Sequence, residues 1–245
     1  MSRNKAWFSD TGQVFSGSEP FFFDTAEFDW VKTIEKDYQI IVDEFFAEIE
    51  KDQAQLEPYM NAEMMSKKNN WKTQGLMFWG KKSEENAKKY PKTWEVLNKI
   101  PNLCAASFNL LEPGTTIKPH YGNTNAIIRC HLGLRIPAQA PRCGFRVGTE
   151  TRSWHDGKVL MFCDAHEHTA WNNTDQQRYI MVLDIVRPEF KRDFVSIASR
   201  VLGFIYYDAA KLNKPLIGKL SKIKWLDPIL HWGYRRWQRA QVKHY

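Results

Sequence analysis

Hydrophobic and polar positions divide this chain into a helical first part, a strand-rich centre and a basic, aromatic end. In FDWVKTIEKDYQIIVDEFFAEIEK, Trp30, Ile34, Tyr38, Ile41, Phe45 and Ile49 recur at spacings of three and four. That period predicts an amphipathic helix of several turns whose apolar stripe packs against a sheet. A second, shorter helix is predicted from Ser83 to Ile100, capped by SEEN and interrupted at Pro91. From Leu103 to Val186, short strand-like runs alternate with turns and no helical segment separates them. Such a recurrence is the all-β pattern of a jelly-roll or cupin, and it argues against a parallel α/β sheet. EPG, Glu112 to Gly114, predicts a turn before TTIKPH; HDG, His155 to Gly157, predicts a tight hairpin between TRSW and KVLMF. Met1 to Asp24 mixes Gly, Ser and aromatics and is expected to form an extended arm.

Period-2 alternation is most informative in AIIRCHLGLRI, Ala126 to Ile136. It places Arg129 and His131 on one strand face and Ile128, Cys130, Leu132 and Leu134 on the other. A guanidinium beside an imidazole in mid-strand calls for an anion or a buried acid to answer it. RYIMVLDIV opens on Arg178 and continues almost wholly apolar, as a strand covered on both faces does.

Composition narrows the setting. A single β-rich domain of 245 residues is ordinary, and 14% aromatic residues suffice for a large core. Cys104, Cys130, Cys143 and Cys163 are scattered through strand-like segments with no CxxC, and no secretory leader is visible. Reduced, buried thiols in a cytoplasmic setting are expected. No apolar run approaches the roughly 20 residues of a membrane-spanning helix.

Charge is concentrated at the end of the chain. From residue 211 to 245 there are nine Lys or Arg (Lys211, Lys214, Lys219, Lys222, Lys224, Arg235, Arg236, Arg239 and Lys243) against one acid, Asp227. Nine minus one is +8, and the whole chain is +7, so residues 1 to 210 sum to −1. These cations are interleaved with Trp225, Trp232, Trp237 and several Leu and Ile. Basic residues beside Trp and Leu are typical of segments that lie on anionic bilayers, each surface-bound cation contributing about 1 kcal/mol. Peripheral association at the inner membrane face is therefore expected. The competing reading is a helical cover for the barrel with solvated cations; no motif supports a nucleic-acid partner.

Candidate chemistry lies between Lys118 and Val186. His120 follows Pro119 at the end of one strand-like run and His168 precedes another, so a fold that doubles back could bring them together. Neutral imidazole suits Fe, Zn, Cu or Ni, and two histidines alone choose none of them. Arg129 and Arg178, on neighbouring strands, are suited to clamp a dicarboxylate, because the guanidinium fork matches a carboxylate. Each residue also has a plainer role. Arg129 could pair with Asp184 or Asp164, Arg178 could be a strand-entry charge reaching solvent, and His166 in HEH rivals His168 as a ligand.

The ordered series WKTQGLMFWGKKSEENAKKYPKTWEVLNKIP, SFNLLEPGTTIKPH, HYGNTN, RCHLGLRIP, CGFRVGTETRSWHDGKVLMFCDAHEHTAWNN and RYIMVLDIVRPEF resembles the aspartyl/asparaginyl β-hydroxylase family of Fe(II)/2-oxoglutarate dioxygenases, which includes lipid A acyl-chain hydroxylases. The resemblance covers most of the chain from Asn70 to Phe190. It implies a double-stranded β-helix, so that with the helices and tail read above the expected fold is mainly β with flanking N-terminal helices and a basic C-terminal helical tail. It also implies iron held by His120 and His168, preferred to His166, with 2-oxoglutarate against Arg129, His131 and Arg178 and Asn109 where a small polar residue is expected. Gly122 stands where a His-x-Asp/Glu triad would carry its carboxylate. Relatives share that departure, and weak iron affinity is expected to follow.

The activity so implied is hydroxylation of an unactivated C-H, coupled to consumption of O2 and 2-oxoglutarate. The substrate is either a peptidyl Asp or Asn side chain or a lipid acyl chain, and the basic aromatic tail favours the lipid. The alternative class is a cupin-like binding module at a membrane surface without chemistry. Expected boundaries are 1–190 for the dioxygenase domain with its N-terminal helices and 191–245 for the basic extension.

Overall fold

The computed structural model describes residues 5–51 and 54–242. Its strands are β1 (Glu57–Pro58), β2 (Trp71–Phe78), β3 (Lys81–Lys82), β4 (Leu103–Leu111), β5 (Thr115–His120), β6 (Ile127–Arg135), β7 (Cys143–Val147), β8 (Glu150–Arg152), β9 (Val159–Phe162), β10 (His168–Asn172) and β11 (Arg178–Val186). Its α-helices are α1 (Asp29–Lys36), α2 (Tyr38–Glu50), α3 (Glu84–Lys89), α4 (Pro91–Leu97), α5 (Phe194–Asn213), α6 (Pro215–Leu220) and α7 (Asp227–Arg239).

The strands form two antiparallel sheets. The larger runs β1-β2-β4-β11-β6-β9 with β3 beside β2, and the smaller runs β5-β10-β7-β8. From β4 onward the chain crosses between them: β5 lies in the smaller sheet, β6 in the larger, β7 and β8 in the smaller, β9 in the larger, β10 in the smaller, β11 in the larger. That alternation is the double-stranded β-helix expected from the sequence.

Alternation along β6 divides its residues as predicted. Ile128, Cys130, Leu132 and Leu134 join Phe108, Met181 and Leu183 in a cluster with Ile34, Ile41 and Phe45 of α1 and α2. The helices thus cover one face of the larger sheet. The opposite face lines the barrel, where Leu111, Ile117, Phe145, Trp154, Phe162 and Ile180 form a second cluster.

Three expectations are corrected in detail. The predicted first helix is two, broken at Asp37, whose φ and ψ of −89° and 5° end α1 and start α2. Asp37 accepts from Lys99 Nζ at 2.8 Å, so its carboxylate is engaged outside either helix. The apolar stripe nevertheless continues across the break, with Ile34, Ile41 and Phe45 at 0% exposure. HDG is a turn but not a hairpin, since β8 pairs with β7 in the smaller sheet while β9 pairs with β6 in the larger. Gly157, at φ +69°, carries the chain from one sheet to the other, and the hairpin of this region is β7-β8, turning at Gly148 (φ +53°). The tail is three helices, of which α5 is a genuine part of the core. Phe190, Phe194, Ile197 and Val201 pack with Trp79, Cys104, Ile127 and Val186, so the boundary expected near residue 190 crosses a continuous apolar cluster.

The predicted second helix divides at Pro91 into α3 and α4, with Ser83 capping α3 by accepting from Asn86 N. The arm from residue 5 to 24 is largely extended and runs beside β9: Phe22 pairs with Phe162, and Phe23 N donates to Met161 O at 3.0 Å. All four cysteines are buried and free. Lys243, counted among the tail cations, lies outside the described residues, as do Met1 to Asn4 of the arm. Among the described residues no helix is long and apolar enough to cross a membrane.

Candidate active site

The antiparallel pairing of β5 with β10 sets His120 directly opposite His168, with ring centroids 4.1 Å apart. Each ring is fastened the same way: His120 Nδ1 lies 2.8 Å from Lys118 O and His168 Nδ1 lies 2.9 Å from His166 O. A carbonyl can only accept, so Nδ1 carries the proton in both rings and Nε2 keeps its lone pair. Burial holds both imidazoles below their ordinary pKa, His168 well below, where the neighbouring His120 adds to the effect. Two neutral rings with Nδ1 donating to backbone carbonyls are held as metal-binding histidines usually are, the inner nitrogen fixed and Nε2 left open. Among the described residues no set of three or more His, Cys, Asp or Glu converges as a metal-holding group.

His166 is directed elsewhere. Its Nε2 lies 2.8 Å from Glu19 O, and its ring packs edge-on against Phe15 and Phe21 of the arm.

His131, on β6, is 7% exposed among Phe145, Phe162 and Trp154. Trp154 Nε1 donates to His131 Nδ1 at 3.1 Å, so the neutral ring carries its proton on Nε2. Burial, then the positive charge of Arg178, push its pKa well below the ordinary value. Arg178 is 1% exposed, which removes its solvent-reaching reading. It stacks on the same tryptophan, its guanidinium carbon 4.7 Å from the Trp154 ring centroid. No carboxylate of the described residues pairs with it, and its Nε is buried without a hydrogen bond. Burial pushes its pKa down to about 10. A buried, unanswered guanidinium is costly unless an anion enters to meet it.

Arg129 is not part of that arrangement. Asp184, its cross-strand partner, accepts from Nε and Nη2 at 2.7 and 2.8 Å, and Asp164 Oδ2 lies 2.9 Å from Nη1. Burial opposes the charge, but the two carboxylates outweigh it and raise the pKa of Arg129. The ion pair is the role this geometry supplies, and the two-arginine clamp is not formed. Asn109 is also committed, its Oδ1 accepting from Trp71 Nε1 at 3.0 Å and its Nδ2 donating to Ser107 Oγ at 2.8 Å.

Two residues of the site were not singled out from the sequence for the roles they take. Trp154 joins His131 to Arg178, and its signal, one tryptophan before a turn, is unremarkable. Asp164 fills the place Gly122 leaves open. Gly122 N donates to Asp164 O at 2.7 Å, and a Cβ on Gly122 would land on the Asp164 carboxylate. Apart from the ion pair of Oδ2 with Arg129, the carboxylate oxygens of Asp164 are buried without a hydrogen bond. Burial raises its pKa to about 6, with Arg129 opposing and Asp184 reinforcing the shift.

The chain matches the family model for aspartyl/asparaginyl β-hydroxylases over residues 35–188, more than half its length. It belongs to the aspartyl/asparaginyl β-hydroxylase family. Among curated proteins it is 40% identical to an ornithine lipid ester-linked acyl 2-hydroxylase of Rhizobium tropici, over 69% of this chain and 61% of that one. It is 34% identical to the aspartyl/asparaginyl β-hydroxylase of Homo sapiens, over 65% of this chain and 21% of that one. The chain thus spans less than two thirds of the length of either relative. Among solved structures it is similar to a Pseudomonas putida prolyl-4-hydroxylase, at a TM-score of 0.44 and 11% identity, covering 64% of this chain and 98% of that one. The assignment of the barrel as a double-stranded β-helix rests on its own strand order.

Two expected results follow from this site. Trp154→Phe keeps an aromatic ring but removes the donor to His131 Nδ1. It should leave the buried His131 Nδ1 without its donor and lower Tm by the few degrees that about 1 kcal/mol represents; an unchanged Tm would refute the link. The second concerns acid. His131 and His168 have depressed folded-state pKa values, so the stability they confer is present above the ordinary pKa of 6.5 and lost as pH falls through their folded values. Each contributes a slope of at most about 1.4 kcal/mol per pH unit. Asp164 acts oppositely, since its raised pKa of about 6 against an ordinary 3.8 favours the fold at lower pH. His120 is lowered as well, so with three histidines against one acid the protein should lose Tm from pH 7 to 5, and replacing His131 with Gln should flatten that loss.

Proposed function

We propose that this chain is an Fe(II)- and 2-oxoglutarate-dependent hydroxylase whose substrate is a lipid acyl chain met at an anionic membrane surface. One observation carries the reading: a neutral imidazole pair with free Nε2 atoms shares a barrel interior with a buried guanidinium that has no acid of its own. His120 and His168 would hold the iron through Nε2, and Arg178 would receive a carboxylate of 2-oxoglutarate. When bound, iron supplies the activation of O2 that couples decarboxylation of 2-oxoglutarate, to succinate and CO2, to hydroxylation of a C-H bond.

The chain's own residues orient and enclose. Trp154 holds His131 in the tautomer whose Nε2-H can donate to a bound carboxylate. Phe145, Phe162 and Ile180 keep the interior apolar and water-poor, which strengthens the attraction between Arg178 and an entering anion. Asp164, whose carboxylate lies against Gly122 two residues past His120, would accept a hydrogen bond from solvent where a His-x-Asp/Glu sequence carries its acid. Arg129 keeps Asp164 and Asp184 from repelling one another.

The lipid reading is favoured over a peptidyl one by the exposed tryptophans of the C-terminal helices, Trp225 at 70% and Trp232 at 62%. A succinate-release assay with Fe(II) and 2-oxoglutarate, across acyl lipids and acidic peptides, tests it. Turnover is expected with the lipids, and His120→Ala and His168→Ala should each abolish it while the far-ultraviolet spectrum is retained. Stimulation by peptides alone would transfer the site to the peptidyl substrate. No 2-oxoglutarate consumption with any substrate would favour a binding module without chemistry.

A further inference from the structure

The last three helices make a surface that the barrel does not use. α5 sends its inner face into the core, and α7 lies along the outside of α5, with Gly203 of α5 so close to Arg235 that a Cβ there would touch its backbone. α7 faces α5 through Asp227, His231 and Gln238: the Tyr207 hydroxyl donates to Asp227 Oδ1 at 2.6 Å, Tyr207 stacks on His231, and Gln238 is 4% exposed. Ile229, Trp232 and Arg236 follow at steps of three and four, which places them together on another side of α7, and Trp225 lies in the turn that leads into the helix. Trp225, Ile229 and Trp232 are 70%, 53% and 62% exposed, and Leu212 in the last turn of α5 and Leu216 in α6 are 86% and 67% exposed. The Arg236 guanidinium lies over the Trp232 ring at 5.7 Å.

Charge indicates what meets this face. Lys214, Lys219, Lys222, Lys224, Arg236 and Arg239 are all exposed, and none makes an ion pair within the described residues. An apolar patch this rich in tryptophan and ringed by unanswered cations complements an anionic bilayer, with tryptophan at the headgroup level and the lysines on lipid phosphates.

The helix that carries α7 is also tied to the loop after His120. Arg200 of α5 holds Asp10 through two hydrogen bonds of 2.8 and 2.6 Å, and Ser9 N next to it donates to Asn123 O at 3.1 Å, three residues past His120. Beneath α5, Cys104 Sγ donates to Asp184 O at 3.3 Å, and Asp184 grips Arg129. Through Asp164, Arg129 reaches Gly122. The tail and the loop after His120 are therefore fixed to one another.

We propose that Trp225, Ile229, Trp232 and Arg236, with Leu212 and Leu216, form a monotopic docking face for an anionic phospholipid bilayer, and that docking brings the His120–His168 end of the barrel to the headgroup layer. The docking stands on the surface itself, whereas its use in delivering an acyl chain rests on the hydroxylase reading above.

Flotation of the purified full chain with vesicles, without iron or 2-oxoglutarate, tests the proposal. Binding is expected to phosphatidylcholine vesicles containing phosphatidylglycerol, to be lost on pure phosphatidylcholine, and to fall steeply as salt screens the lysines. The double variant Trp225→Ser/Trp232→Ser should bind at least about tenfold more weakly at an unchanged Tm, since both side chains leave water only on docking. Brominated acyl chains should quench tryptophan emission of the wild type and not of the double variant. Failure to float, equal flotation of the double variant, or a stable dimer that dissociates in the double variant would each overturn the docking face, the last by assigning it to a second copy of this chain. Because neither flotation nor quenching needs turnover, loss of docking with normal succinate release would remove this proposal and leave the hydroxylase, and the reverse pattern would do the opposite.

Discussion

Arg178→Met is expected to make the protein more stable and much worse at binding 2-oxoglutarate. The wild-type guanidinium is 1% exposed, has no carboxylate partner among the described residues, and leaves Nε without a hydrogen bond. Burying a charge without an answering charge costs several kcal/mol, and the stack on Trp154 at 4.7 Å offsets only part of it. Methionine fills most of that volume with no charge to desolvate. A gain of about 1–3 kcal/mol is expected, a rise in Tm of several degrees for a protein of this size. Affinity moves the other way. Charge-assisted hydrogen bonds contribute about 1.5–3 kcal/mol each, so loss of the fork should weaken 2-oxoglutarate at least about a hundredfold. Calorimetry of the ligand-free protein and titration with 2-oxoglutarate read the two effects separately. A lower Tm with unaltered affinity would mean that Arg178 is a structural residue with a partner inside the fold.

Gly122→Asp, which writes a His-x-Asp sequence into the chain, is expected to damage the site. The new Cβ would fall on the Asp164 carboxylate, and a further acid would join Asp164 and Asp184 around the single cation Arg129. Crowding and an unpaired buried charge together should cost about 2–4 kcal/mol, without tighter metal binding. Combining Gly122→Asp with Asp164→Ala vacates that space and keeps Arg129 paired to Asp184. The double variant should recover much of the stability and bind Fe(II) more than about tenfold tighter than the wild type, because an anionic third ligand then joins the two imidazoles. Anaerobic Fe(II) titration and thermal unfolding of the three proteins decide it. A stable single variant would place Asp164 away from Gly122, and a double variant with wild-type affinity would show that a carboxylate at 122 cannot reach the metal.

Features that depend on periodicity were readable from the chain. Alternation in β6 put Arg129 and His131 on the barrel side and Ile128 and Cys130 under the helices, because a side chain's face in a strand is set by parity. The stripe from Trp30 to Ile49 likewise found its sheet, even though Asp37 breaks the helix. What spacing leaves open is which partner a charge finds. Parity gives Arg129 a face but does not say that Asp184 lies directly across from it on β11, which is a matter of register. The choice between His166 and His168 has the same character: both fit the spacing, and the arm's Phe15, Phe21 and Glu19 draw one of them away. HDG carries a hairpin's residues, yet the strands on either side belong to different sheets. Turn chemistry reports the bend and not the destination.

The matching anchors of His120 and His168 bear on the proposed role of the pair. Each ring is held by the carbonyl two residues before it, Lys118 O within β5 and His166 O just ahead of β10, and the rings face one another across the β5-β10 ladder. The backbone alone therefore fixes how the two imidazoles are turned. On the hydroxylase reading, a metal would find both nitrogen donors already oriented, and the entropy of arranging them would be met by folding rather than by binding.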